Sequence, residues 1–284
     1  MKKLALLLAA LGLVSAAAYA APELTVTSVG QEVEVEHTNG SDDTTAWLYN
    51  NVGLAYGDWS FGLQAAKQWN YDNDDTIADP DKGISSNNNR LQFDVWKKIN
   101  DNLKLGFRYR GQKDFDRFYA RYAFNYGMLL SDGDFWYQFN NNNAEDNIEI
   151  EWFPIGVKFG PVTAKYFLNY KEFNNSVDNL ESYTEHQLRL YAPLYTADRF
   201  SLSTEARITL HAEEDRVNNT EYTAWEDFGR DRLYLKASYN VSESLNVYVN
   251  YAYEFTEKEG RNGAKDPESV GNYQNLTFGW NYTF

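Results

Sequence analysis

Leu276-Thr277-Phe278-Gly279-Trp280-Asn281-Tyr282-Thr283-Phe284 ends the chain with an apolar or aromatic residue at every second position. Thr277, Gly279, Asn281 and Thr283 fall between them. Side chains alternate faces along a strand, so this segment has one greasy face and one wet face. In an exported chain without a helical span, such a strand is expected to close an outer-membrane β-barrel. Phe278, Trp280, Tyr282 and Phe284 are then the expected signal for barrel-assembly machinery.

The other end agrees. Lys2 and Lys3 precede an apolar run from Leu4 to Val14, and Ala18-Tyr19-Ala20 precedes Ala21. Charge, a short apolar run and small residues, in that order, mark a secretory signal. Residues 1–20 are expected to be removed, leaving one barrel domain over 21–284, exported through the periplasm. The whole chain carries 26 Lys+Arg and 41 Asp+Glu, a net charge of −15. Without Lys2 and Lys3 the balance is 24 − 41 = −17. That acidity argues against a nucleic-acid binder. Mean hydropathy is −0.62, and no long apolar run follows the leader, which excludes membrane helices but not a barrel with a polar lumen.

Site chemistry is sparse. There is no Cys, so disulfides and thiolate metal sites are absent. His37, His186 and His211 lack metal-ligand spacing. The acidic run Asp72, Asp74, Asp75, Asp79, Asp81 lacks the spacing and glycine of a calcium loop. No nucleophile elbow or His-Glu-x-x-His occurs. Neither a cofactor nor an enzymatic activity is expected.

Alternating segments recur fourteen times, at 23–37, 44–56, 58–70, 88–99, 103–112, 116–130, 134–141, 147–159, 162–172, 184–193, 199–212, 230–241, 244–256 and 271–284. Short connections (Gly57-Asp58, Asn100 to Asn102, Ser131 to Asp134, Gly160-Pro161, Pro193 to Asp198, Ser242 to Ser244) alternate with mostly longer polar ones. Short turns on one rim and long loops on the other are the asymmetry of outer-membrane barrels. An even strand count puts both termini on the short-turn side. Phase changes near Ser28-Val29-Gly30 and Phe153-Pro154 predict bulges. Trp59, Tyr126, Tyr239 and Tyr282 suit interfacial girdles. The expected fold is an all-β, up-and-down antiparallel transmembrane barrel.

The faces sort by charge. In 244–256, Leu245, Val247, Val249, Tyr251, Tyr253 and Phe255 oppose Asn246, Tyr248, Asn250 and Glu254. A charge facing lipid at mid-membrane costs about 2–4 kcal/mol, so the charged face belongs to the lumen. Arg90, Lys98, Lys104, Arg108, Arg110, Arg117 and Arg121 are then expected to form a basic wall, with Asp94 as the main counter-charge. Glu32, Glu34 and Glu36 form an acidic wall partly across from it. Lys165, Arg189, Arg207, Arg232 and Lys236, against Glu149, Glu151, Glu205 and Glu254, complete the expected lining. Fourteen strands should leave an open interior, and inward charges need water. This points to a channel passing small hydrophilic solutes, preferentially anions. The expected surroundings are outer-membrane lipid and lipopolysaccharide, with the chain acting as a monomer. The alternative is a surface adhesin or structural barrel binding partners through its acidic loops.

Three stretches resemble the monomeric fourteen-stranded porins of the OmpG type: Gln187-Leu-Arg189-Leu-Tyr191-Ala-Pro193-Leu194, Arg232-Leu-Tyr-Leu235 through Leu245 to Phe255, and Gly279-Trp-Asn281-Tyr282-Thr-Phe284. Ala192-Pro-Leu-Tyr195 is also similar to FomA-type porins, and Leu105-Gly-Phe-Arg108-Tyr-Arg110 to the KdgM-type porins of acidic oligosaccharides. The OmpG resemblance implies a one-chain channel for small solutes and oligosaccharides, gated by an extracellular loop with a facing His pair. Phe228 and Gln274 stand at the corresponding positions, a departure from that pattern. The chain also lacks the proline-rich stretch that follows the signal in the FomA type.

Overall fold

Fourteen antiparallel strands close on themselves, each hydrogen-bonded to its neighbours in sequence and the last to the first. The structure is a computed structural model that describes residues 22–38, 43–72, 83–141, 144–177, 180–216, 223–260 and 271–284. The strands are β1 (Thr25–Thr38), β2 (Asp43–Tyr56), β3 (Trp59–Asp72), β4 (Ile84–Lys98), β5 (Leu103–Gln112), β6 (Phe115–Tyr126), β7 (Leu129–Asn140), β8 (Asn147–Phe159), β9 (Val162–Val177), β10 (Leu180–Ala197), β11 (Phe200–Arg216), β12 (Thr223–Asn240), β13 (Leu245–Gly260) and β14 (Gly271–Thr283). The expected leader and Asp74, Asp75, Asp79 and Asp81 lie outside the described residues. Among the described residues no helix is long and apolar enough to cross a membrane.

Closure is the physical requirement here. An open sheet edge cannot satisfy its N–H and C=O groups in hydrocarbon, whereas a cylinder satisfies all of them. The seam pairs β1 with β14 from Ser28↔Thr283 to Thr38↔Tyr273 without a register shift. Two glycines let the backbones and tyrosines crowd there. A Cβ on Gly30 would lie 2.6 Å from the Trp280 carbonyl oxygen, and one on Gly279 would lie 2.6 Å from both the Gln31 carbonyl and the Tyr248 hydroxyl.

Burial is inverted relative to a soluble domain. The buried side chains are largely polar, among them Gln92, Gln138, Asn169, Glu185, Glu205 and Glu254. The exposed ones include Leu105, Phe107, Phe118, Leu235, Val249 and Phe278. Trp59, Tyr126, Tyr239 and Tyr282 are all exposed next to the short-turn rim or the chain end. Such a surface suits a bilayer and such an interior suits water. Gln31 and Asn50, two amides on the outer face of β1 and β2, bond each other at 2.8 Å.

The expected bulges are present: register slips occur between Val26 and Ser28, and between Trp152 and Ile155. Two expected turns are corrected. Ser131 to Asp134 is not a turn. The chain reverses at Gly127-Met128, where Gly127 takes a φ of 60°, and residues 131–134 run inside β7. Turn chemistry favoured the Ser-Asp-Gly-Asp cluster, but Asp132 and Asp134 find cationic partners inside the barrel, and Gly127 supplies the left-handed residue that the reversal needs. Likewise β10 continues through Pro193 to Ala197, and the chain turns at Asp198-Arg199.

The seam generates a test. Gly279→Val should lower the urea-unfolding free energy of the refolded barrel by about 1–3 kcal/mol, the usual penalty for overpacking. The same substitution at Gly127, where no atom lies within 4 Å of an added Cβ, should act only through its positive φ and leave the closed sheet intact by circular dichroism.

Candidate functional site

Alternation along each strand puts the charged residues on the concave face, where side chains reach over an intervening strand. Arg121 on β6 meets Asp94 on β4, and Arg230 on β12 meets Glu185 on β10. The lumen lining therefore contains links that skip a strand as well as cross-strand pairs.

Its first sector lies on β4–β7. Asp94 Oδ1 accepts from Arg108 Nε at 2.6 Å and from Arg121 Nη1 at 2.6 Å. Asp134 lies 2.7 Å from Arg121 and 3.7 Å from Arg108. Two guanidiniums and two carboxylates thus form a closed quartet, with side chains 14–22% exposed. Asp134 is the partner that the sequence reading put in a turn. The remaining arginines are held differently. Arg110 Nε donates to Gln92 at 2.8 Å, and Arg117 Nε donates to Gln138. Arg90 lies 4.5 Å above the Trp47 ring and donates to the Tyr49 hydroxyl at 3.3 Å. Gln112, with its amide oxygen turned toward Arg90, accepts from Arg90 Nε at 2.8 Å. Among the described residues, Arg90, Arg110 and Arg117 have no carboxylate partner. Neutral amides and aromatic faces fix these three guanidiniums without cancelling their charge.

A second basic sector lies on β9–β12. Lys165, Arg189, Arg207 and Arg232 face one another in register across four consecutive strands. Like charges directly opposite repel, so counter-charges are threaded between them. Lys165 pairs with Asp132 at 2.5 Å and Arg207 with Glu205 at 2.7 Å. Arg232 pairs with Glu254 at 2.6 Å and Lys236 with Glu205 at 2.5 Å. Arg230 bridges Glu185 at 3.1 Å and Glu254 at 3.3 Å. Arg189 has instead the Phe167 ring at 3.5 Å and the Gln187 amide at 2.8 Å. In a ring of fourteen strands, β5 and β12 are seven apart in either direction. Taken as wholes, the two basic sectors centre about five strands apart one way round the ring and nine the other, and β1 lies between them on the wider side, four to five strands from each centre.

Glu32, Glu34 and Glu36 lie between those sectors and accept from tyrosines. Tyr248 reaches Glu32 at 2.6 Å, Tyr49 reaches Glu34 at 2.9 Å and Tyr273 reaches Glu36 at 2.5 Å. Arg90, Tyr49, Glu34 and Asn275 thereby form a hydrogen-bonded chain from β4 to β14 across the seam. Lys98 and Lys104 are register partners at the short-turn rim, away from the quartet. Lys98 holds Asp101 of the adjacent turn at 2.6 Å, and its hydrogen bond and charge keep that carboxyl below the ordinary aspartate range. Phe278, Tyr282 and Phe284 are exposed on the outer face.

Missed by sequence reasoning were Asp132, Asp134, Glu185, Arg230 and the glutamines Gln92, Gln138 and Gln187. Glu185 and Gln187 share the strand parity of Arg189, which was the available signal. Asp134 carried none, because its segment resembled a turn. Among the described residues no cluster of His, Asp or Glu could hold a metal ion.

A closed barrel with an apolar outside and a charged, polar inside is an outer-membrane β-barrel. No protein-family model matches the chain, and no curated protein matches it either. The chain is similar to several solved structures. A bacterial polysaccharide outer-membrane secretin is 9% identical, with a TM-score of 0.56, covering 91% of this chain and 98% of its own. OccK10 (OpdN) of Pseudomonas aeruginosa is 11% identical with a TM-score of 0.47, over 91% and 99%. An anion-selective porin from Comamonas acidovorans is 12% identical with a TM-score of 0.43, over 92% and 100%. At 9% identity and a TM-score of 0.56, the likeness to the secretin is one of fold alone.

The quartet can be tested directly. Asp94→Asn leaves Arg108 and Arg121 sharing only Asp134, and should cost roughly 1–3 kcal/mol of stability, the usual penalty for orphaning a charged hydrogen-bonding group. Urea titration of the refolded protein in detergent measures it. An unchanged midpoint would show that lumen water replaces the aspartate fully.

Proposed function

We propose that this barrel is a porin: a water-filled channel for passive diffusion of small hydrophilic solutes, with a preference for anions. One observation carries the reading. Arg90, Arg110 and Arg117 are pinned by Gln112, Gln92, Gln138 and aromatic rings rather than by carboxylates. A guanidinium held by a neutral amide keeps its full charge toward the lumen, and fixed charges on a channel wall decide which ions enter. The second basic sector adds further cations on another part of the wall, although its charges are mostly compensated. The strand number supports an open bore, because barrel diameter rises with it. Oligosaccharides fit the same chemistry, since aromatic faces beside charged groups suit sugar rings.

The reversal potential in a planar bilayer under a salt gradient tests the reading. The expected sign is that of anion preference. It should be strong near 0.1 M salt and fade near 1 M, as the screening length falls from about 10 Å to about 3 Å. Arg110→Gln with Arg117→Gln should remove most of the preference while leaving the conductance at high salt nearly unchanged. A cation-selective native channel, or no conductance at all, overturns the proposal.

A further inference from the structure

A cavity of about 470 Å³ opens in the lumen on the long-loop side of the second basic row, between β8 and β13. Its lining includes five carboxylates and five cations, so unlike the β4–β7 sector it is balanced in formal charge. Most of these groups are committed to partners. Glu185, Glu254, Arg230 and Arg232 bond one another, and Arg207 is held by Glu205.

Four are not. Among the described residues, Glu149, Glu151, Lys171 and Arg189 make no ion pair. Among the described residues the Glu149 side chain accepts only from the Asn169 amide, at 3.1 Å. The Glu151 side chain has no hydrogen-bond partner among the described residues and is exposed to the lumen. Glu149 and Lys171 are register partners on β8 and β9, yet they form no ion pair, and Lys171 Nζ lies 4.7 Å from the Phe173 ring. Arg189 spends its Nε on Gln187 and one face on Phe167, and among the described residues its two terminal nitrogens have no hydrogen-bond partner, while the residue lines the cavity.

Unspent charges of both signs in one chamber select against simple ions. A monoanion drawn to Arg189 meets Glu149 and Glu151, and a monocation meets Lys171 and Arg189. A solute carrying both an ammonium and a carboxylate satisfies both sets at once, the carboxylate on the forked guanidinium and the ammonium on the β8 carboxylates. Phe173 and Leu180 on the same wall offer an apolar surface for a side chain. The volume falls within the range of small-molecule sites.

We infer that this cavity is a binding station for zwitterions of the amino-acid type, free amino acids or dipeptides with an apolar side chain. The inference rests on the water-filled lumen proposed above, and it adds a solute class that anion preference alone does not supply.

The test uses the refolded full-length barrel and two probes, L-leucine and Leu-Leu. Their N-acetylated forms lack the cationic end, and their amides lack the anionic end. Calorimetry in detergent measures binding without requiring conduction, and single-channel recording counts blockades. At least one zwitterion should bind tenfold or more tightly than both of its capped forms. Glu149→Gln with Glu151→Gln should erase that advantage over the N-acetylated form, while Arg189→Gln should weaken both. Equal binding of the zwitterion and its N-acetylated form, or no binding of either zwitterion, overturns the inference. Zwitterion binding without any conductance would uphold this site and sink the porin reading; conductance without zwitterion binding would do the reverse.

Discussion

A charged side chain cannot face hydrocarbon without a penalty of several kcal/mol, and a backbone polar group cannot stay unpaired there. Together these two costs organise the molecule. The second closes fourteen strands into a ring. The first sends most of the charges of the strands to one side of that ring. The outcome is a chain whose buried groups include many glutamines and glutamates and whose exposed groups include many leucines and phenylalanines.

Crowding charge onto a concave face creates its own difficulty. Arg189 and Arg207 are forced into register, as are Arg110 and Arg117. The structure offsets the repulsion in two ways. Where carboxylates are within reach, it builds closed clusters such as the Asp94, Asp134, Arg108, Arg121 quartet. Where they are not, it sets the guanidinium on an aromatic ring and hands its Nε to a glutamine. The first arrangement cancels charge and stiffens the wall. The second holds the side chain still but leaves the charge available to solutes. The functional character of the lumen follows from where each solution is used.

Much of the fold could be read from residue order. All fourteen expected segments overlap the observed strands, because a period of two is imposed by the lipid along every strand. The bulge at Phe153-Pro154 was equally legible, since proline cannot donate to the ladder and the parity visibly breaks there. The turn at Ser131 to Asp134 was misread for a reason that is also local. Asp-Gly beside Ser and Asp is strong turn chemistry, and only the partners waiting on β5, β6 and β9 make those aspartates strand residues.

What the sequence determined by itself is the compartment of each side chain: which residues face oil and which face water, and hence a barrel. That information is short-range, carried by alternation within ten or so residues. What tertiary structure decided is partnership. Whether Arg108 is neutralised and Arg110 is not, or whether Lys171 joins Glu149 or turns to Phe173, depends on register between strands and on reach across a third strand. No local pattern encodes those distances, because they exist only once β14 has met β1.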